Sequence, residues 1–300
     1  MHEEKMNKNT AASVKALLLN ISRRSGTEHT VLLRRYAQER FIFRLSKTRH
    51  REKLVLKGAM LSIIFGFNDF RPTKDIDFLC VEDSYSTDEI SEIVSEVISV
   101  EVEDGIVFNS SFKVETIKKE SIHPGSRIIL PWNMERTTGN IQLDVGFGDV
   151  QYTGPLNMTF PTILGSEEPD IMVYSIETAI AEKIQTIASL GVTTSRMKDF
   201  YDIYHFCKSS AFKFEDLSNS LKLTFINRDT SVNSLVEVFS EGFINSKTMI
   251  EQWKAFLLRN ELPNEQSFTQ IMEKLRVVFL PLIQEEEPRE SWDPYSWSWK

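Results

Sequence analysis

Cysteine is almost missing from this chain of 300 residues: only Cys80 and Cys207 occur, each among hydrophobic neighbours. Their scarcity argues against a disulfide framework and a cysteine-based metal site, and predicts two buried thiols. Long apolar runs are missing too. No stretch approaches the roughly 20 apolar residues that a bilayer-spanning helix needs. The opening MHEEKMNKNTAASVKALLLN lacks the sustained apolar segment of a cleavable signal, so a cytoplasmic location without a membrane partner is expected. His29, His50, His123 and His205 are scattered without metal-ligand spacing, and His205, in DIYHFCK, reads as a packed residue. There is no G-x-S-x-G elbow, no G-K-[ST] phosphate loop and no dinucleotide fingerprint, so hydrolase, P-loop and dinucleotide readings lack support. No internal repeat is evident.

What is present is a composition of 41% hydrophobic and 26% charged residues, enough for a real core and two domains. The formal net charge of -8 speaks against a nucleic-acid partner, but its distribution is uneven. The first 57 residues hold 14 of the 35 Lys and Arg and only 5 of the 43 Asp and Glu. Within them, RRYAQERFIFRLSKTRHREK offers Arg34, Arg35, Arg40 and Arg44 as a candidate phosphate-binding face; a solvated helix surface is the competing reading.

Residues 10–50 read as two helices broken near SGTEHT, with Leu33, Ala37, Phe41 and Leu45 forming an apolar stripe and Arg34, Arg35 and Arg44 largely off it. STDEISEIVSEVISV carries a cap at Ser86 or Thr87 and acidic residues in its first turn. SFKVETIK, SRIILPW and NIQLDVGF read as strands. From about residue 175 the pattern is helical through SIETAIAEKIQTIASLG, RMKDFYDIYHFCK, FEDLSNSLKLTFIN, SKTMIEQWKAFLLR and FTQIMEKLRVVFLPLI. The expected organisation is basic N-terminal helices over 1–50, an α/β domain over 51–174, a helical domain over 175–284 and an acidic, tryptophan-rich tail over 285–300, docked on the bundle or loose.

The informative stretch is LKGAMLSIIFGFNDFRPTKDIDFLC. In a strand, Asp75 and Asp77 point to one side while Ile76 and Phe78 enter the core. Two like charges so placed need a cation, or one takes up a proton. In NIQLDVGFGD, Leu143, Val145 and Phe147 share one face and Asp144 takes the other. Three carboxylates from neighbouring strands would hold Mg²⁺, a hard cation that leaves room for phosphate oxygens. Capping or strand-ending aspartates are the plainer alternative. KGAMLSIIFG puts a glycine where backbone can approach phosphate and is expected to open a helix; a glycine at a simple turn is the competing reading.

This pattern resembles the nucleotidyltransferase superfamily: a Gly-containing helix opening, a D-x-D strand and a third carboxylate on a nearby strand. More closely, the chain is similar to the AbiEii/AbiGii toxin family, through LVLKGAMLSIIFG, RPTKDIDFL, IQLDVGFGD and YSIETAIAEKIQTIASLGVTTSRMKDFYDIY in that order, over about residues 30–258. The implied fold is α+β, a nucleotidyltransferase-type mixed β-sheet domain flanked by helices and followed by a helical bundle. The resemblance further implies Asp75, Asp77 and Asp144 as ligands of Mg²⁺ (or Mn²⁺), Lys57 and Gly58 at the nucleotide phosphates, and roles for Lys183, Arg196, Lys198, Asp199 and Asp202 toward nucleotide or catalysis. A salt bridge from Lys183 to Asp199 or Asp202 is the structural alternative. Ala59 departs from the Gly or Ser that usually follows the first glycine, which removes a hydroxyl contact to phosphate.

The activity implied is Mg²⁺-dependent transfer of a nucleoside monophosphate from a nucleoside triphosphate to an acceptor hydroxyl. The acceptor implied is RNA, the 3′ end of tRNA, in a toxin with a cognate antitoxin and a place in phage defence by abortive infection. Nucleotidylation of a protein, or nucleotide binding without catalysis, are the alternatives.

Overall fold

The computed structural model describes residues 2–66, 72–81, 86–117, 125–263, 265–284 and 289–300. Arg71 of RPTKDIDFL, His123 and the acidic run Glu285–Glu287 lie outside the described residues. The chain divides into two compact units, neither of them continuous in sequence.

The first unit comprises Met1–Met60, Pro72–Gly148 and Leu156–Val173. Its strands are β1 (Leu54–Lys57), β2 (Asp75–Cys80), β3 (Val107–Phe108), β4 (Lys113–Ile117), β5 (Gly125–Met134), β6 (Thr137–Gly146), β7 (Leu156–Thr159) and β8 (Asp170–Val173). They form one mixed sheet in the order β3-β5-β6-β2-β1-β8-β7, with β4 added to β5. β2 runs parallel to β6, and β1 runs antiparallel to β2. Helices α1 (His2–Ser25), α2 (His29–Ser46) and α4 (Thr87–Ile98) accompany it, α2 packing on β6, β8 and α4. α4 begins where Ser86 and Glu89 close a reciprocal capping box. Strand residues alternate as the sequence pattern requires: Ile76, Phe78, Leu143 and Val145 are at most 2% exposed, while Asp75, Asp77 and Asp144 lie on the other, partly open side.

The basic arm departs from the expected surface face. α2 is buried over most of its length, Arg40 and Arg44 included. Arg40 and Arg44 are each 3% exposed, and both turn to Asp104. Arg44 donates to its two carboxylate oxygens at 2.6 and 3.2 Å, and Arg40 also donates to Ser166 Oγ at 3.2 Å. Arg35 donates to Glu39 at 2.6 Å and to the Pro161 carbonyl at 3.3 Å, and lies over the Phe160 ring. Arg34 is half-buried. Charges as deep as those of Arg40 and Arg44 are retained because they are paired; these two knit α2 into the first unit and do not offer a surface to a polyanion.

The second unit comprises Leu61–Arg71, Asp149–Pro155 and Tyr174–Lys300. Its helices are α3 (Leu61–Ile64), α5 (Ile176–Leu190), α6 (Met197–Ser209), α7 (Phe214–Asn227), α8 (Ser234–Val238), α9 (Glu241–Ile244), α10 (Lys247–Arg259) and α11 (Phe268–Ile283). The helix expected to open at KGAMLSIIFG is short: a 3-10 turn over Gly58–Met60 precedes the single α turn of α3, which stops at Gly66 with φ +71°. Polar and aromatic contacts recruit the detached pieces. Phe65 packs edge-on against Phe206 at 6.2 Å, and Arg228 binds Asp149 at 2.7 Å, Glu182 at 3.2 Å and Gln185 at 3.0 Å. The tail docks: strands β9 (Trp292–Asp293) and β10 (Ser298–Trp299) pair, and the indole N–H groups of Trp292, Trp297 and Trp299 donate to the carbonyls of Cys207, Lys274 and Val278. Both cysteines are buried and outside any disulfide, and burial pushes the Cys207 thiol well above its ordinary pKa. Among the described residues, no helix is long and apolar enough to cross a membrane.

Candidate active site

The parallel register of β2 and β6 sets Asp77 directly beside Asp144 and Asp75 beside Gln142. In-register neighbours point to the same face, so three carboxylates meet on one side of the sheet. One oxygen from each of Asp75, Asp77 and Asp144 lies within 4.8 Å of the others. β1 delivers a further element: Lys57 is the ladder partner of Asp77, and Gly58 follows it at φ +74°. A Cβ built on Gly58 would overlap the Asp77 Oδ2 atom and stand 2.8 Å from its Cγ. Glycine is therefore required twice, by the left-handed backbone and by the carboxylate seated against it.

Neighbours fix the carboxylates. Thr73 Oγ1 donates to Asp75. Arg127, on β5 and opposite Asp144 in the antiparallel ladder, donates from Nε to Oδ1 at 2.8 Å and from Nη2 to Oδ2 at 2.7 Å. Gln142 Nε2 lies 3.2 Å from both of these oxygens. The hydrogen bond to Asp144 raises the Arg127 pKa above its ordinary value, with help from the fields of Asp75 and Asp77 and against partial desolvation. Three hard oxygen donors this close fit a divalent cation of the Mg²⁺ or Mn²⁺ kind, and none of the groups is soft.

In the second unit, α5 and α6 bring another set together. Lys183 Nζ lies 3.2 Å from Asp199 Oδ1 and 2.8 Å from Asp202 Oδ2, and Arg196 Nε lies 2.6 Å from Asp199 Oδ2. The lysine side chain is 12% exposed and the carboxylates 3% and 9%, so the lysine neutralises two buried charges. The structural salt bridge weighed for Lys183 thus has direct geometry. Lys198 is exposed and stands outside this set. His205 is packed, its ring centroid 4.2 Å from that of Tyr201.

The chain matches the model of a family described as nucleotidyl transferase AbiEii toxin, type IV toxin–antitoxin system, over residues 40–274. It belongs to the AbiEii nucleotidyltransferase toxin family. Two solved structures from Helicobacter pylori share the fold. JHP933 is 14% identical with a TM-score of 0.52, over 87% of this chain and 94% of its own. A second, whose name carries a provisional nucleotidyltransferase assignment, is also 14% identical with a TM-score of 0.50, over 87% and 98%. No curated protein matches.

Two residues of this AbiEii-family site escaped the sequence reading. Arg127 and Gln142 sit in strands quoted for their apolar pattern. A lone arginine in SRIILPW is the available signal, but only the register of β5 on β6 says that it faces Asp144.

Proposed function

We propose that this nucleotidyltransferase moves a nucleoside monophosphate from a nucleoside triphosphate to a hydroxyl of RNA, at the 3′ end of tRNA, with Mg²⁺ (or Mn²⁺) as cofactor. The observation that carries the reading is the triad of Asp75, Asp77 and Asp144 gathered on one sheet face beside Gly58. In this reading the acceptor oxygen attacks the α-phosphorus, the bond to the β-phosphate oxygen breaks and pyrophosphate leaves. Asp75, Asp77 and Asp144 hold the cation, which when bound supplies charge neutralisation and alignment of phosphate oxygens. Asp144 also receives or orients the acceptor proton. Gly58 and Lys57 border the phosphates, and Lys183, Arg196 and Lys198 contribute positive charge toward nucleotide. Asp199 and Asp202 position Lys183. The chain acts in the cytoplasm as a toxin opposed by a cognate antitoxin, in phage defence.

The burial of Arg40 and Arg44 favours a second reading of the acceptor, a protein hydroxyl, because the basic arm no longer offers them to a phosphate backbone. Purified chain incubated with each α-labelled triphosphate, Mg²⁺, total RNA and total protein separates the readings. Label in RNA, lost with EDTA and with Asp77→Ala, is the expected result; label confined to protein transfers the proposal to nucleotidylation. No label in either overturns catalysis.

A further inference from the structure

We infer that Arg127 is the resident counter-ion of the acidic triad and competes with the divalent cation for Asp144, so that it sets how tightly the site takes metal. The inference rests on the reading of Asp75, Asp77 and Asp144 as metal ligands. Its starting point is that Arg127 takes both oxygens of Asp144 at 2.8 and 2.7 Å, while Gln142 approaches the same two atoms. A fork-to-fork pair of this kind is among the stronger and more directional contacts available to a carboxylate.

A guanidinium keeps its charge at every pH a protein survives. A lysine or histidine so placed could give up a proton when a dication arrives; Arg127 has no such escape. Bringing a cation to Asp144 therefore sets it against a fixed positive charge on the same carboxylate. Either Arg127 yields or the cation binds less tightly. The arginine is able to yield, because its side chain is 40% exposed whereas that of Asp144 is 18% exposed. Arg127 also solves a folding difficulty. Three carboxylates within 4.8 Å repel one another, and a tethered cation on the neighbouring strand offsets that repulsion before any metal is present.

The test is Mn²⁺ binding, followed by calorimetry and by the paramagnetic resonance of free Mn²⁺, together with melting in EDTA. Arg127→Met keeps the length of the side chain and removes the charge; Arg127→Lys keeps a charge and removes the fork. Arg127→Met is expected to bind Mn²⁺ about tenfold more tightly than the wild type, the loss of one competing charged contact. It should also melt lower in EDTA and gain more from added Mn²⁺. Arg127→Lys should fall between the two, and it carries the test if the methionine variant does not fold. Equal or weaker Mn²⁺ affinity in both variants overturns competition and makes Arg127 an orienting partner of Asp144. If the wild type and both variants bind no Mn²⁺, the metal reading of the triad fails, and the inference with it.

Discussion

Replacing Gly58 with alanine tests how the site is built. Two costs are separable. The first is backbone: a residue with a Cβ at φ +74° carries about 1–2 kcal/mol of strain. The second is steric, since the new Cβ would overlap Asp77 Oδ2 and lie 2.8 Å from its Cγ and 2.9 Å from its Cβ. The ladder pairing of Lys57 with Asp77 fixes both backbones, so the Asp77 side chain has to turn out of the triad. Gly58→Ala should therefore lose Mn²⁺ binding to the level of Asp77→Ala. Urea unfolding in EDTA of the two single variants and the double variant then measures their coupling. With only the Asp77 Cβ left in the way, adding Gly58→Ala to Asp77→Ala should cost less than adding it to the wild type, by about 0.5–3 kcal/mol. Additive costs, with wild-type Mn²⁺ affinity in Gly58→Ala, would refute the claim that the glycine is there for Asp77.

Asp75→Ala and Asp77→Ala should each abolish transfer while urea midpoints in EDTA stay level or rise, because removing one of three crowded charges relieves repulsion; wild-type transfer in both would remove the metal assignment. Asp144→Asn should be as severe in the labelled-triphosphate assay. Lys183→Met leaves two buried carboxylates short of a partner and should cost about 3–5 kcal/mol, less whatever Arg196 recovers at Asp199, and should weaken nucleotide binding in the folded protein; unchanged nucleotide affinity would leave Lys183 a structural salt bridge alone. Trp292, fully buried with its N–H on the Cys207 carbonyl, should cost about 3–5 kcal/mol when cut to alanine, and an unchanged midpoint would mean that the tail does not hold the second unit together.

Some of this architecture is local and was readable in the residues. Alternation in DIDFL and NIQLDVGF comes from the two-residue period of a strand, which forces Asp75 and Asp77 to one side and Ile76 and Phe78 to the other whatever the rest of the chain does. Helices from α5 onward announce themselves by apolar spacing, although the short α8 and α9 do not. The basic arm shows the limit. Its charges are legible, but their fate depends on Asp104, Ser166 and the Pro161 carbonyl, none of them adjacent in sequence. A helix read as amphipathic from its own stripe proved buried over most of its length.

The same division runs through the site. By itself the sequence determined which residues carry charge into an apolar strand, that a glycine stands before them, and that two cysteines do not make a disulfide framework and no apolar run is long enough to span a bilayer, because these follow from residue type and local period. The tertiary structure alone decided that Asp77 meets Asp144, that Arg127 closes on the third carboxylate, that Lys183 lies between Asp199 and Asp202, and that the tryptophan tail docks. The first and third depend on strand register or helix packing between residues far apart in the chain, and the second on the register of the β5–β6 hairpin. Register between strands distant in sequence, as for β2 on β6, is settled by which pairing buries both apolar faces at once, so it is decided only when the strands meet.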